Sequence, residues 1–177
     1  MPARWVRHDE RMSEQPLRVA IIGFGIGGAV FHAPLIASTP GMRVAYVVTS
    51  NAERAANARS SYGGVAVIAT ADELFARAAD VDLVVVTSPN REHAPQALQA
   101  IKAGIPVVVD KPFAVGVDQA QAVVDTAAAA NVPLTVFQNR RFDGDFLTVQ
   151  RPAIVKGAAR HWPALAPAVQ GAETLCD

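Results

Sequence analysis

Six short apolar runs recur along the chain, at Val19 to Ile22, Val44 to Val48, Val65 to Ile68, Leu83 to Val86, Val107 to Val109 and Leu134 to Phe137. None alternates with polar residues. Continuous apolarity over so few residues means that both faces are covered, as in a parallel sheet flanked by helices. Between the runs lie stretches with helical spacing, at Ala52 to Ser60, Ala71 to Ala78, His93 to Ala103 and Val117 to Ala130. Gly104 and Asn131 stand where helix C-caps belong, and Asp72 or Thr70 can cap the short third helix. The repeated strand-helix order, with right-handed crossovers, predicts an α/β fold with a doubly wound parallel sheet of the Rossmann type.

The first run, opened by Leu17 and Arg18, leads straight into Gly23-Phe24-Gly25-Ile26-Gly27-Gly28. A buried strand that turns sharply into such a loop is the context of a dinucleotide site. Gly23 allows the tight turn, Gly25 lets the backbone approach a pyrophosphate, and Gly28 lets the following helix pack on the strand. The apolar Ala29, Val30, Leu35 and Ile36 mark that helix. Its N-terminal N–H groups and dipole bind anions without a basic side chain. Gly23, Phe24, Gly25, Ile26 and Gly28 are therefore the expected cofactor cradle.

Cofactor choice turns on the end of the second strand, where NAD enzymes carry a carboxylate for the ribose 2′-hydroxyl. Here the chain reads Val48-Thr49-Ser50-Asn51. Nothing there repels a 2′-phosphate, Thr49, Ser50 and Asn51 donate hydrogen bonds, and Arg54 supplies charge one turn later. NADP is the expected cofactor, with NAD as the other candidate. Ser50 or Asn51 also suits the N-cap of the second helix.

Among the 177 residues, 16 Lys and Arg balance 16 Asp and Glu, with no basic stripe, so neither nucleic acid nor an anionic membrane is an expected partner. Small-molecule chemistry fits better. No apolar run approaches the roughly 18 to 20 residues of a membrane span. One cysteine, Cys176, excludes an internal disulfide and a multi-cysteine zinc site, and no metal is expected. The charged opening Met1 to Gln15 lacks the apolar core of a secretory signal, so a cytoplasmic location is expected. Residues 1–15 read as a disordered leader and 16–150 as the dinucleotide-binding domain. Residues 151–177, with Pro152, Pro163 and Pro167 among many alanines, carry no clear period. Two readings stand for this tail: a divergent helix that completes the domain, or a frameshifted or truncated start of a second one.

With the glycine loop, Thr87-Ser88-Pro89-Asn90-Arg91-Glu92-His93 and Asp110-Lys111-Pro112 make the chain similar to the Gfo/Idh/MocA oxidoreductases from about Leu17 to Gln150. Phe31-His32-Ala33-Pro34-Leu35-Ile36 and Asn139-Arg140-Arg141-Phe142-Asp143 look most like its NADP-linked scyllo-inositol dehydrogenase branch. The resemblance implies hydride transfer between NADP and a polyol or sugar carbinol. It implies that Lys111 is the catalytic lysine, beside substrate and nicotinamide, where an ammonium orients the hydroxyl and stabilises a developing alkoxide. Asp110 would modulate that charge. Thr87, Pro89 and Asn90 are implied on the cofactor; His93, past the fourth strand at the carboxyl edge, is also expected there, although it suits the cap or start of a helix as well. Arg140 and Arg141 read either as substrate contacts or as a solvated pair, and His32 either as a ligand contact or as a half-buried structural histidine. The resemblance further implies a second α/β domain that closes the substrate pocket, supplies a catalytic histidine and carries the main oligomer interface. This chain is expected to lack it, leaving oligomeric state open and turnover impaired. The alternative is a non-catalytic dinucleotide-binding module.

Overall fold

A computed structural model describes residues 15–149 of the chain. They fall in two compact units, divided between Phe137 and Gln138. The tail 151–177, Cys176 and all of the leader except Gln15 lie outside the described residues.

The first unit is a six-stranded sheet with every neighbour parallel. Its strands are β1 (Leu17–Ile22), β2 (Met42–Val48), β3 (Ala66–Ile68), β4 (Leu83–Val86), β5 (Val107–Val109) and β6 (Leu134–Val136), in the spatial order β3-β2-β1-β4-β5-β6. The chain leaves β1 in one direction along the sheet and returns to its other side at β4. The topological switch point therefore lies between the carboxyl ends of β1 and β4, where open α/β sheets bind their ligands.

The unbroken apolar runs have the physical cause read from them. In β1, Ala20 and Ile22 enter one core layer with Val84, Val86, Val107 and Val109. Val19 and Ile21 enter the other, with Val44, Val47 and Val85. Leu74 of α3 (Ala71–Phe75), Ala97 and Ile101 of α4 (Asn90–Lys102) and Val123 of α5 (Val117–Ala130) cover the first layer. Ala33 and Ile36 of α1 (Ala33–Ser38) and Ala58 of α2 (Ala52–Ser61) cover the second.

Helix ends follow local chemistry. Asn51 caps α2 by accepting the Arg54 N–H at 2.9 Å, and Thr70 caps α3 by accepting that of Glu73 at 3.3 Å. Asn131 ends α5 in the left-handed conformation, with φ of 52°. Three features differ from the sequence expectation. Helix α3 stops at Phe75 and the chain makes a separate 3₁₀ turn at Ala78–Asp80. Helix α4 starts at Asn90, three residues early, because Pro89 supplies an extended N-cap and its carbonyl accepts the Glu92 N–H. The first helix opens as a π turn, Gly27–His32, in which the Ala33 N–H reaches back five residues to the Gly28 carbonyl.

At the amino edge of the sheet, Arg18 ties β1 to the segment before β4. Its Nε and Nη2 each donate to an Asp82 carboxylate oxygen at 3.0 Å, and its N–H donates to Oδ2 at 2.7 Å. The Arg18 hydrogen bonds hold the Asp82 carboxyl below its ordinary value of 3.8. A depressed carboxyl stabilises the fold above its unfolded pKa, and that contribution is lost as pH falls through the folded one. Asp82→Asn is therefore expected to flatten the loss of stability below about pH 4, as read from urea midpoints across acidic pH.

The second unit, described by itself, contains a 3₁₀ turn at Asn139–Phe142 and α6 (Gly144–Val149).

Candidate active site

One row of main-chain hydrogen bonds continues past the strand ends and fixes the residues that follow them. The Gly23 N–H donates to the Val48 carbonyl, Thr49 to Ile68, Thr87 to Ile22, Asp110 to Val86 and Phe137 to Val109, all at 2.8 to 3.0 Å. Five loops are thus pinned to one edge, with the glycine turn and the Thr87 loop side by side at the switch point.

The glycines of the turn serve different ends. Gly23 has φ of +90°, and a Cβ there would sit 2.8 Å from the Ser88 N and the Thr87 O. At Gly28 a Cβ would run into the Gly23 carbonyl and lie 2.9 Å from Thr87 Oγ1. Thr87 Oγ1 also donates to the Gly23 carbonyl at 2.6 Å, which locks the turn against the fourth strand. Gly25 is the contrast. Around its Cβ position the nearest protein atom is Arg54 Nη1 at 3.8 Å, so packing alone would tolerate a side chain there. An open glycine beside a guanidinium is what the approach of a phosphate group requires. The first bond of the turn runs from Ala29 N–H to the Gly25 carbonyl, and the N–H groups ahead of it have no carbonyl one turn earlier to bond. The residues present fit a dinucleotide.

The expected site residues separate into groups. Gly23, Gly25, Ile26, Gly28, Thr49 and Thr87 gather at the carboxyl edge, with Arg54 alongside; the Ile26 side chain is 75% exposed. Ser50 and Asn51 follow at the exposed start of α2, and Pro89 and Asn90 at the exposed start of α4. Lys111 is exposed on the loop after β5, and its N–H donates to its neighbour Asp110 Oδ1 at 2.8 Å. The Phe24 side chain is 2% exposed and packs edge-on against Tyr62, which leaves only its backbone to face a ligand. Arg140 and Arg141 belong to the second unit, where Arg140 pairs with Asp143 at 2.8 Å.

His93 departs most from the expectation of a cofactor contact. It is 1% exposed, with Nδ1 2.7 Å from the Pro112 carbonyl O and Nε2 2.8 Å from that of Ser88. Each nitrogen lies within hydrogen-bond distance of a backbone carbonyl, so the ring bridges the Thr87-Ser88 loop and the Lys111-Pro112 loop. His93→Ala would leave two carbonyls without that partner and open a cavity, with an expected loss of about 2 to 4 kcal/mol in chemical denaturation.

Two contributors escaped the sequence reading. Gly27 is small because Asp110 Oδ2 would lie 2.9 Å from a Cβ there. Ser88 Oγ donates to Gln96 Oε1 at 2.6 Å, bracing its loop on α4. The doubled glycine was the visible signal for the first; a contact between residues eight apart leaves none. Among the described residues no cluster suited to a metal ion occurs, and no helix is long and apolar enough to cross a membrane.

The family model for oxidoreductases of the Gfo/Idh/MocA type, NAD-binding Rossmann fold, matches residues 17–138. The uncharacterized oxidoreductase YdgJ of Escherichia coli is 40% identical over 134 residues, 76% of this chain and 38% of that protein. The Bacillus subtilis protein IolW, named scyllo-inositol 2-dehydrogenase (NADP(+)), is 30% identical over 141 residues, 80% of this chain and 38% of its own length. The crystal structure of GenD2 from gentamicin A biosynthesis, in complex with NAD, superposes with a TM-score of 0.71 at 29% identity, over 82% of this chain and 40% of that one. The chain thus spans about 38% of the length of these curated relatives. Its glycine turn, strand order and matched segment make it a member of the Gfo/Idh/MocA oxidoreductase family, within that family's NAD-binding Rossmann domain.

Proposed function

We propose that this chain is the cofactor-binding part of an NADP-preferring dehydrogenase that acts on a polyol or sugar carbinol, with a cyclic polyol such as an inositol as the leading candidate. The observation that carries the reading is an open Gly25, whose Cβ position lies 3.8 Å from Arg54 Nη1, on an edge whose β2 end has no carboxylate. The activity for which the Bacillus subtilis relative is named supports the same cofactor and substrate class.

Bound NADP supplies the hydride acceptor. The chain's own residues hold and orient. Main-chain N–H groups of the glycine turn meet the pyrophosphate, and Thr49, Ser50, Asn51 and Arg54 meet the 2′-phosphate. Thr87, Pro89 and Asn90, which follow β4 at the same edge, are proposed for the cofactor as well. Lys111 presents an ammonium that orients the substrate hydroxyl and stabilises negative charge on its oxygen, with Asp110 braced against its backbone. Arg140 and Arg141 are proposed for the substrate.

The test is NADP⁺ reduction by the full chain in the presence of myo- or scyllo-inositol, followed by nicotinamide absorbance. Impaired turnover that is lost altogether in Lys111→Ala is the expected result. Saturable cofactor binding without turnover on any polyol favours the non-catalytic module instead.

A further inference from the structure

We propose that His32 is a positioning residue: buried itself, it pairs with the half-buried Asp110 and so clamps the Lys111 loop to the glycine turn. The inference rests on the proposed role of Lys111, but its structural part stands on separate contacts. His32 is 5% exposed, and its Nε2 is buried without a hydrogen-bond partner. Such an atom carries a desolvation penalty unless an acceptor reaches it. Asp110 Oδ2 is 3.8 Å away, less than 1 Å beyond ordinary hydrogen-bond length.

The surroundings fix both members. The imidazole packs on Phe137 at a tilt of 52°, ring centroids 4.3 Å apart, and the Phe137 N–H donates to the Val109 carbonyl. The π turn supplies His32 from the glycine side. Asp110 spans the gap with its two oxygens, one accepting the Lys111 N–H at 2.8 Å, the other facing His32 and the bare face of Gly27. A short step of Nε2–H toward Oδ2 joins the cofactor turn to the lysine loop through a single carboxylate.

The charges are consistent with a pair. Burial pushes the His32 ring below its ordinary value, and the Asp110 carboxylate pulls it back up. No other charged group among the described residues acts on it in this way. Phe137, packed on the ring from β6, brings no charge.

The test is an NMR titration of the His32 ring in the full chain and in Asp110→Asn, joined to a double-mutant cycle of His32→Phe and Asp110→Asn read in chemical denaturation and in NADPH affinity. The phenyl ring preserves the ring contact with Phe137. If the pair exists, His32 titrates lower in Asp110→Asn, and the two substitutions are non-additive by at least ~2-fold in the unfolding equilibrium, the low end for contacting residues. NADPH affinity is then lowered by either substitution, and the double variant is no worse than the weaker single one. An unmoved His32 titration together with additive effects overturns the pair. If the unaltered chain binds no NADPH, the functional reading fails, while titration and denaturation still decide whether the pair exists. A coupled pair whose loss leaves NADPH affinity unchanged overturns the clamp.

Discussion

A Gly28→Val variant is expected to lose about 3 kcal/mol or more of stability, and dinucleotide binding with it, because no neighbour of that glycine can yield. The new Cβ would run into the Gly23 carbonyl, with Thr87 Oγ1 at 2.9 Å and Ile21 Cγ2 at 3.2 Å. Each is held from elsewhere. The Gly23 carbonyl accepts the Thr87 hydroxyl, and Ile21 is wholly buried in the central strand. Relief therefore requires the helix to lift off the sheet. Gly63→Ala is the matched control, since nothing lies within 4 Å of a Cβ there, and its urea midpoint should stay close to that of the unaltered chain. A Gly28→Val midpoint equal to the control's would show that the helix does not pack on β1 as described.

Arg54→Ala is expected to weaken NADPH binding by about 10- to 100-fold, the equivalent of the roughly 1.5 to 3 kcal/mol carried by hydrogen bonds to a charged group. NADH should lose much less, because the 2′-phosphate it lacks is the group proposed for the guanidinium. The fold itself should not suffer. Arg54 is exposed, and Asn51 caps α2 through the backbone N–H of residue 54, which alanine keeps. Selectivity read from parallel titrations thus isolates charge from packing. Equal losses for both nucleotides would move the 2′-phosphate away from Arg54.

How far the sequence revealed this molecule depended on the range of the interactions involved. The strands were legible because burial on both faces removes every polar residue from a run, as in Leu83 to Val86. Caps were legible because an Asn51 or Asn131 acts on its own backbone neighbours. Gly23 and Gly28 were legible because a strand-turn-helix of that length forces a close approach. His93 was not, since its ring is engaged by a carbonyl 19 residues further on, that of Pro112. A polar residue at the start of a helix looks the same from sequence whether it faces a ligand or a distant loop. The direction of the Phe24 side chain was hidden for the same reason: its place in the motif fixes its backbone in the glycine turn, and its ring turns back to Tyr62. The π turn leaves no mark in composition at all.

The central claim, that the glycine turn holds a dinucleotide, is tested most directly by titrating the full chain with NADPH and NADH while following nicotinamide fluorescence, with Gly25→Asp in parallel. Gly25 has ordinary room for a side chain, so this variant should unfold at an unchanged midpoint and report on ligand approach alone. Saturable binding, tighter for NADPH and lost in Gly25→Asp, is the predicted result. No saturable binding of either nucleotide, or binding undiminished in the variant, would contradict it.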